Sequence, residues 1–308
     1  MTAARMTYRV GLLLALAGCA GASGRTVAPV RFALPDSAHV LDGASGAPLA
    51  TAAMLRLIGG ADVVLLGEVH DNATGHAIRG ALLDAFGSRR PAVVFEQFAA
   101  SDSAIPKPIP SDSIEGWLDR SGFDRRGWRW PMHQPVVNAA IRHARGLWGS
   151  GVSRENLRAV VRGGDAGAPE PLRRIMERTP LDSVARAVLD QELVEGHCGQ
   201  LPAAQIPGMR TAQVVRDASM TRAMTMASAG AGPVWLVAGN GHVRKDVAVP
   251  RLLEAEAHGK RVLVVGVVEK STSGADPADA ERRMYDVVIV IPRAQRDDPC
   301  RQFTAPRN

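Results

Sequence analysis

The chain has 308 residues, of which 46% are hydrophobic and 22% are charged, and its formal net charge is +6. This length and composition allow one large or two medium globular domains and exclude wholesale disorder. Two of the positive charges lie in an N-terminal segment expected to be removed, and no lysine- or arginine-rich run remains, so we expect no nucleic-acid binding.

The N-terminus has the pattern of an export signal. Arg5 and Arg9 precede the apolar run "VGLLLALAG", which is shorter than the roughly 20 residues that a membrane-spanning helix needs. The run ends in "LAGC", which resembles the lipobox of bacterial lipoproteins, in which the cysteine, here Cys19, is lipidated. The alternative is a plain signal peptide with an incidental cysteine. We favour the lipoprotein because small residues directly precede the cysteine.

These features predict the organisation of the whole chain. The predicted segments are a signal peptide (1–18), a tether (19–35), an α/β domain (36–295) with a helical insertion at about 99–230, and a flexible tail (296–308). Ala20 follows the cysteine, so the aspartate linked to inner-membrane retention is absent. We therefore expect a lipid-anchored protein of the bacterial cell envelope, on the outer membrane and facing the periplasm. Export permits a disulfide between Cys198 and Cys300, although two separate thiols fit equally well.

Short apolar strands alternate with helices along the chain. The predicted strands are 62–66, 91–98, 147–152, 233–240, 261–268 and 285–291. The predicted helices are 72–86, a short one from 111, 135–147, 153–162, 181–195, 208–229 and 246–256. This alternation predicts an α/β fold with a mostly parallel sheet, covered by helices on both faces.

Three predicted strands end in unusual polar sequences, "GEVHD", "FEQF" and "AGNGH". Because ligands of open α/β sheets bind at the carboxyl ends of the strands, we expect six side chains to converge there: Glu68, His70, Asp71, Glu96, Asn240 and His242. One interpretation is a zinc, manganese or iron site formed by His70, Glu96 and His242. The other is metal-free acid–base catalysis by Glu68, His70, Glu96 and His242.

Two further segments carry candidate binding residues. "WLDRSGFDRRGWRWPMHQP" places three tryptophans among arginines and His133, either as the buried part of a cap or as a flat cationic surface for a planar anionic ligand such as haem. His197 and Cys198 close a predicted helix. They are either its C-terminal end or a nucleophile or metal ligand.

Five segments together resemble one family: "LLGEVHDN", "VVFEQF", "HCGQLP", "PGMRTAQVVRDASM" and "VWLVAGNGHVRKDVAVPRLL". They are similar to the ChaN-like haem-binding uptake lipoproteins of the Tiki/TraB superfamily, which is related to erythromycin esterase-type proteins. The resemblance runs from about residue 58 to residue 268. It implies an exported, haem-associated lipoprotein in haem or iron uptake, compatible with a homodimer around haem.

The resemblance carries over unevenly to individual residues. Glu68 and His70 match the first motif of the superfamily, Glu96 matches its second acidic position, and His242 matches its late glycine–histidine motif. Haem ligation in the family is attributed to a tyrosine, whereas this chain has only Tyr8 and Tyr285. At the corresponding place the chain has "MHQP", so His133 is predicted as a replacement ligand. The predicted haem-binding set is His133, Trp128, Trp130, Arg129 and His197. The alternative function is a hydrolase, either dependent on a divalent transition metal or using His and Glu alone.

Replacing Cys19 by alanine is expected to abolish lipidation, because the thioether attachment needs that thiol. Fatty-acid labelling and membrane fractionation of the wild type and Cys19→Ala measure this. If neither protein carries label and both partition identically, the lipoprotein prediction is wrong.

Overall fold

The computed structural model describes residues 31–256, 259–298 and 300–301, so the predicted signal peptide and Cys19 lie outside the described residues. Seven strands form one sheet: β1 (His39–Asp42), β2 (Val63–Leu66), β3 (Ala92–Ala99), β4 (Gly146–Gly151), β5 (Val234–Val237), β6 (Val262–Glu269) and β7 (Val287–Ile291). Their order is β1-β7-β6-β2-β5-β3-β4. β1 is antiparallel to β7, and every other neighbouring pair is parallel. The predicted α/β fold with a mostly parallel sheet is confirmed.

Eleven α-helices are found in the described part of the chain. They are α1 (Thr51–Gly60), α2 (Ala73–Ala85), α3 (Ile114–Arg120), α4 (Gln134–His143), α5 (Arg154–Gly163), α6 (Glu170–Arg178), α7 (Ser183–Gly196), α8 (Ile206–Ala227), α9 (Asn240–Val243), α10 (Val249–Leu253) and α11 (Asp279–Arg282). Among the residues described, none of these helices is both long and apolar enough to cross a bilayer.

The central strands are apolar on both faces, and successive residues enter opposite cores. Leu66 of β2 packs in one cluster with Leu82 of α2 and Val136 of α4. Leu65, its neighbour, packs in a second cluster with Met220 of α8 and Leu253 of α10. Helices therefore cover both faces of the sheet. A third cluster, built mainly from α5 to α8, forms the core of the helical region beside the sheet.

The segment predicted as a helical insertion is not purely helical. β4 lies within it and pairs in parallel with β3 as the edge strand of the sheet. The helix predicted for 135–147 ends at His143, because Ala144 takes an extended conformation, and Leu147 belongs to β4 instead. The sequence analysis did not predict β1, α1 or α6. The domain boundaries themselves stay a prediction.

The structure decides between the two alternatives for the remaining cysteines. Cys198 and Cys300 form a disulfide, with their Cα atoms 5.6 Å apart and a sequence separation of 102. The bond joins the C-terminal segment to the end of α7. Cross-links that close long loops restrict the unfolded chain and thereby favour the folded state.

Replacing Leu65 by alanine is expected to lower the free energy of unfolding by about 2–5 kcal/mol, because the side chain is fully buried in the central strand. Urea unfolding with the disulfide intact measures this. The matched control is Leu57→Ala, since Leu57 is 46% exposed and its truncation is expected to change stability by about 0.5 kcal/mol or less. Equal losses in the two variants would contradict this packing.

Candidate functional site

An open crevice of about 830 Å³ lies where the carboxyl ends of β2, β3 and β5 meet. One wall comes from the segments after β2 and β5, together with Glu96 of the neighbouring strand β3. The opposite walls come from α8 and from the loop between α3 and α4. This is the edge at which the parallel topology places a ligand site.

Glu68 is the buried centre of the crevice floor, with a fractional exposure of 2%. One carboxylate oxygen, Oε1, lies 2.6 Å from His70 Nδ1 and accepts a hydrogen bond from Gln97 Nε2 at 3.0 Å. His133 Nε2 contacts the same oxygen at 3.3 Å. The other oxygen forms an ion pair with Arg79. The charge of Glu68 is therefore fully partnered, as a buried carboxylate requires.

His70 presents its ring to the crevice. Its side chain is 49% exposed, yet the partial loss of solvation of the ring in the crevice lowers the pKa of the imidazole below its ordinary value, which favours the neutral ring at pH 7. With Nδ1 donating to Glu68, the lone pair is left on Nε2. A Cβ at Gly239 would stand 2.8 Å from that nitrogen, so any side chain at this position would clash with the ring of His70.

Behind Glu68 lies a second layer of side chains, one arginine and two histidines, that are buried away from solvent. Arg79 donates to His76 Nδ1 at 2.7 Å, and His76 Nε2 donates to the backbone carbonyl of His70 at 3.1 Å. Burial, with His133 nearby, lowers the pKa of His76 to about 4. Burial and the charge of Arg79 lower the pKa of His133 to about 3. Both rings are therefore neutral at pH 7.

A second buried charge cluster lies beside the first. His242 Nδ1 donates to Asp217 of α8 at 2.6 Å, and its Nε2 lies 3.4 Å from Glu96 Oε1. Burial opposes the charge on His242, yet the two carboxylates prevail and raise its pKa to about 10. Burial likewise opposes the charge on Glu96, but His242 and the N–H of Gly239 lower the pKa of that carboxyl to about 2.

Aromatic and cationic side chains flank the crevice. Trp128 packs edge-on against His70 with 5.0 Å between ring centroids. Arg129 is exposed and lies 3.5 Å from Asp71. Arg216 of α8 lines the opposite wall and forms no ion pair with a carboxylate among the described residues. The crevice thus combines a flat aromatic surface with two arginines.

The structure brings together most of the residues that the sequence singled out. Those lining the crevice are Glu68, His70, Asp71, Glu96, Trp128, Arg129, Asn240 and His242. Trp130 instead packs against Phe123, and His197 bonds the carbonyl of Leu193 at the end of α7; neither lines the crevice. Tyr285 is buried within the core of the sheet, where burial raises the pKa of its hydroxyl.

His133 is close to the crevice but not on its surface. The ring is 2% exposed and stands between Glu68 and His76, with its centroid 4.1 Å from that of His76. This position gives no support to direct haem ligation by His133, because an axial ligand needs a nitrogen open to the iron. Its role as a haem ligand stays a prediction.

The residues that could share a metal ion differ from the predicted set. In the described part of the chain, the donor atoms of Glu68, His70 and His133 all lie within 4.8 Å of one another. His70, Glu96 and His242 do not form such a group. His242 instead has Nδ1 2.6 Å from Asp217 and Nε2 3.4 Å from Glu96, and its raised pKa favours the doubly protonated ring when no metal is bound.

Several functional residues were missed in the sequence. His76 and Arg79 lie one helical turn apart on α2, and Gln213, Arg216 and Asp217 share one face of α8. The sequence does contain a signal for these residues. They are polar residues at helical spacing, and they lie in predicted helices whose other buried positions are apolar. The segment "AQVVRDASM" belongs to one of the motifs that carry the family resemblance, but the sequence analysis assigns none of its polar residues to the site.

The fold and the crevice define an α/β protein with a candidate ligand site at the carboxyl edge of its sheet. The chain belongs to the family of haem-binding uptake proteins of the Tiki superfamily, ChaN, whose family model matches residues 54–253. No curated protein matches the chain.

The chain is similar to solved structures to different degrees. ChaN of Campylobacter jejuni, described with cofacial haem binding, matches with a TM-score of 0.60 and 18% identity over 83% of this chain and 97% of that chain. A Bacillus cereus protein matches with a TM-score of 0.45 and 12% identity, over 77% of this chain and 90% of that one. A variant of erythromycin esterase EreC in its open conformation matches with a TM-score of 0.44 and 13% identity, over 85% of this chain and 99% of that one.

The charge on His242 predicts a pH dependence of stability. Because the folded pKa of about 10 lies above the ordinary value of 6.5, the stabilisation is complete below pH 6.5 and is lost as pH rises through 10. The difference in unfolding free energy between wild type and His242→Gln is therefore expected to shrink from pH 6.5 to pH 10. Urea unfolding across this range measures it, with His39→Gln as the exposed control. A difference that is constant with pH would contradict a charged His242.

Proposed function

We propose that the protein binds haem in the crevice and that His70 is its iron ligand. The observation that carries this proposal is the half-exposed, neutral imidazole whose Nδ1 is held by the buried carboxylate of Glu68. A carboxylate on the far nitrogen fixes the tautomer and the orientation of a ligating histidine, and it increases the basicity of the nitrogen that binds the metal. Histidine is a common axial ligand of haem iron.

The residues around His70 suit a planar anionic ligand. The crevice volume of about 830 Å³ lies within the range of roughly 300–1,000 Å³ that is usual for ligand sites. Trp128 offers an aromatic face beside His70, and Arg129 and Arg216 offer cations for two propionates. When bound, haem would supply an iron centre open to ligand exchange or electron transfer.

In this proposal His70 takes the place that the sequence analysis gave to His133. His133 supports the site from behind, because its Nε2 donates to the same oxygen of Glu68 that accepts the hydrogen bond from His70 Nδ1. Trp128 and Arg129 stay in the proposed haem-binding set. Trp130 and His197 leave it, since neither lines the crevice.

We further propose that haem binding serves haem or iron uptake at the outer membrane, with the protein anchored there through lipidated Cys19 and able to form a homodimer. The support for uptake is membership of the haem-binding uptake family. The support for the anchor is the lipobox-like sequence before Cys19. The support for the dimer is the family resemblance.

Titration of the purified protein with haem, followed by absorption spectroscopy, tests the proposed ligand. We expect a saturable Soret band in the wild type and at least about a tenfold loss of affinity, with a shifted band, in His70→Ala, because the iron loses its axial nitrogen. His39→Ala is the matched control, since His39 lies on β1 far from the crevice. His133→Ala is expected to keep the position of the band. An unchanged spectrum and affinity in His70→Ala would show that His70 is not the ligand.

A second candidate function is metal-dependent hydrolysis, and the observation that favours it is the group formed by Glu68, His70 and His133. His70 held by Glu68 could also act as a general base without a metal, with Glu96 and His242 alongside. We rank this function second because Arg79, Gln97 and the two histidines already occupy the oxygens of Glu68. Metal analysis distinguishes the two: stoichiometric zinc, manganese or cobalt without haem would favour the hydrolase.

A further inference from the structure

The C-terminal segment after β7 contacts the loop that carries His70. We call residues 292–298 and 300–301 the C-terminal strap. Arg296 donates to both oxygens of Glu269, at 2.8 and 2.5 Å, and its NH2 group also lies 2.9 Å from Asp71 Oδ1. The side chain of Glu269 is only 8% exposed, and those of Arg296 and Asp71 are each 22% exposed. Ion pairs this sheltered are screened less by solvent than surface pairs.

The strap holds both residues that follow His70. Asp71 is held by Arg296. The amide nitrogen of Asn72 donates to Glu269 Oε1 at 2.7 Å and to the carbonyl of Pro292 at 2.9 Å. The amide oxygen of Asn72 caps α2 by accepting from the N–H of Thr74 at 3.0 Å. The side chains of the two residues after His70 are therefore held by Arg296 and Pro292 of the strap, together with Glu269 of β6.

The far end of the strap is covalently attached to the helical region. Cys300 is disulfide-bonded to Cys198, at the C-terminal end of α7. α7 packs against α8, which carries Gln213 and Arg216 to the opposite side of the crevice. Both cysteines are half-buried, so the bond is partly accessible to a reductant. The strap thus joins the His70 loop to the helical wall of the crevice.

We propose that the C-terminal strap is a disulfide-held positioning element for the His70 loop, with Arg296 as its contact residue, and that opening the Cys198–Cys300 bond loosens the ligand site. The effect on haem rests on the function proposed above; the effect on the loop does not. A dithiol reductant opens the bond by thiolate attack on one sulfur and resolution of the mixed disulfide. Two electrons and two protons then reside on the two cysteine thiols, and the reductant becomes a disulfide.

Hydrogen–deuterium exchange of the haem-free protein tests the positioning role directly. We compare the wild type, oxidised and reduced with dithiothreitol, with Arg296→Ala and Cys300→Ser. Exchange of the amides of residues 68–72 is expected to rise by about tenfold in the reduced protein and in both variants, because the loop opens more often. Amides of β2 are expected to stay protected, which shows that the fold is intact. Arg293→Ala is the matched control, since Arg293 is exposed and lies outside this network.

Haem titration of the same proteins separates the two proposals. If the oxidised wild type binds haem, reduction and Arg296→Ala are each expected to weaken binding by about fivefold or more, a usual size of coupling between sites. Unchanged haem affinity on reduction would overturn the proposed effect of the Cys198–Cys300 bond on the ligand site. If the wild type binds no haem, the proposed function fails while the exchange data still decide the positioning role. Unchanged exchange at residues 68–72 in every variant and after reduction would overturn the strap proposal itself.

Discussion

The burial of the Glu68 carboxylate is the constraint on which the rest of the site depends. A carboxylate with 2% exposure at a strand end is tolerable only when each oxygen has partners, and the fold supplies them from three other elements. Arg79 comes from α2, Gln97 from β3 and His133 from the start of α4. Each partner fixes the position of its own element relative to β2. The same demand for partners therefore assembles the α2–α4 layer and orients the His70 ring.

A second buried charge connects the sheet to the helical region. His242 follows β5 and lies between Glu96 of β3 and Asp217 of α8, so its charge links two strands to the long helix. The two clusters meet at Gly239, which donates its N–H to Glu96 and leaves room for His70 Nε2. Replacing one partner would leave a buried charge uncompensated, which is generally more costly than losing an exposed pair. The crevice walls are thus held by charge as well as by apolar packing.

The sequence predicted the parts of this arrangement that depend on local patterns. Apolar runs such as Val63–Leu66 identified the central strands, and their parallel order placed the ends of β2, β3 and β5 at one edge. What it could not predict were partners brought in by tertiary packing. Arg79 looks like an ordinary helix residue until α2 docks on β2 and places it on Glu68. The pairing of Cys198 with Cys300 depends on where the chain passes 102 residues later, and no local pattern encodes that.

The two crevice histidines show why position after a strand does not by itself assign a role. His242 lies between two carboxylates, those of Glu96 and Asp217, so its proton is retained and both ring nitrogens act as donors. His70 contacts one carboxylate, that of Glu68, which is already paired with Arg79. Glu96 and Asp71 favour the charged ring from farther away, and the charge of His242 opposes it. Burial then decides, and His70 keeps a free lone pair. The two rings are therefore distinguished by how many carboxylates each contacts and by what else those carboxylates neutralise.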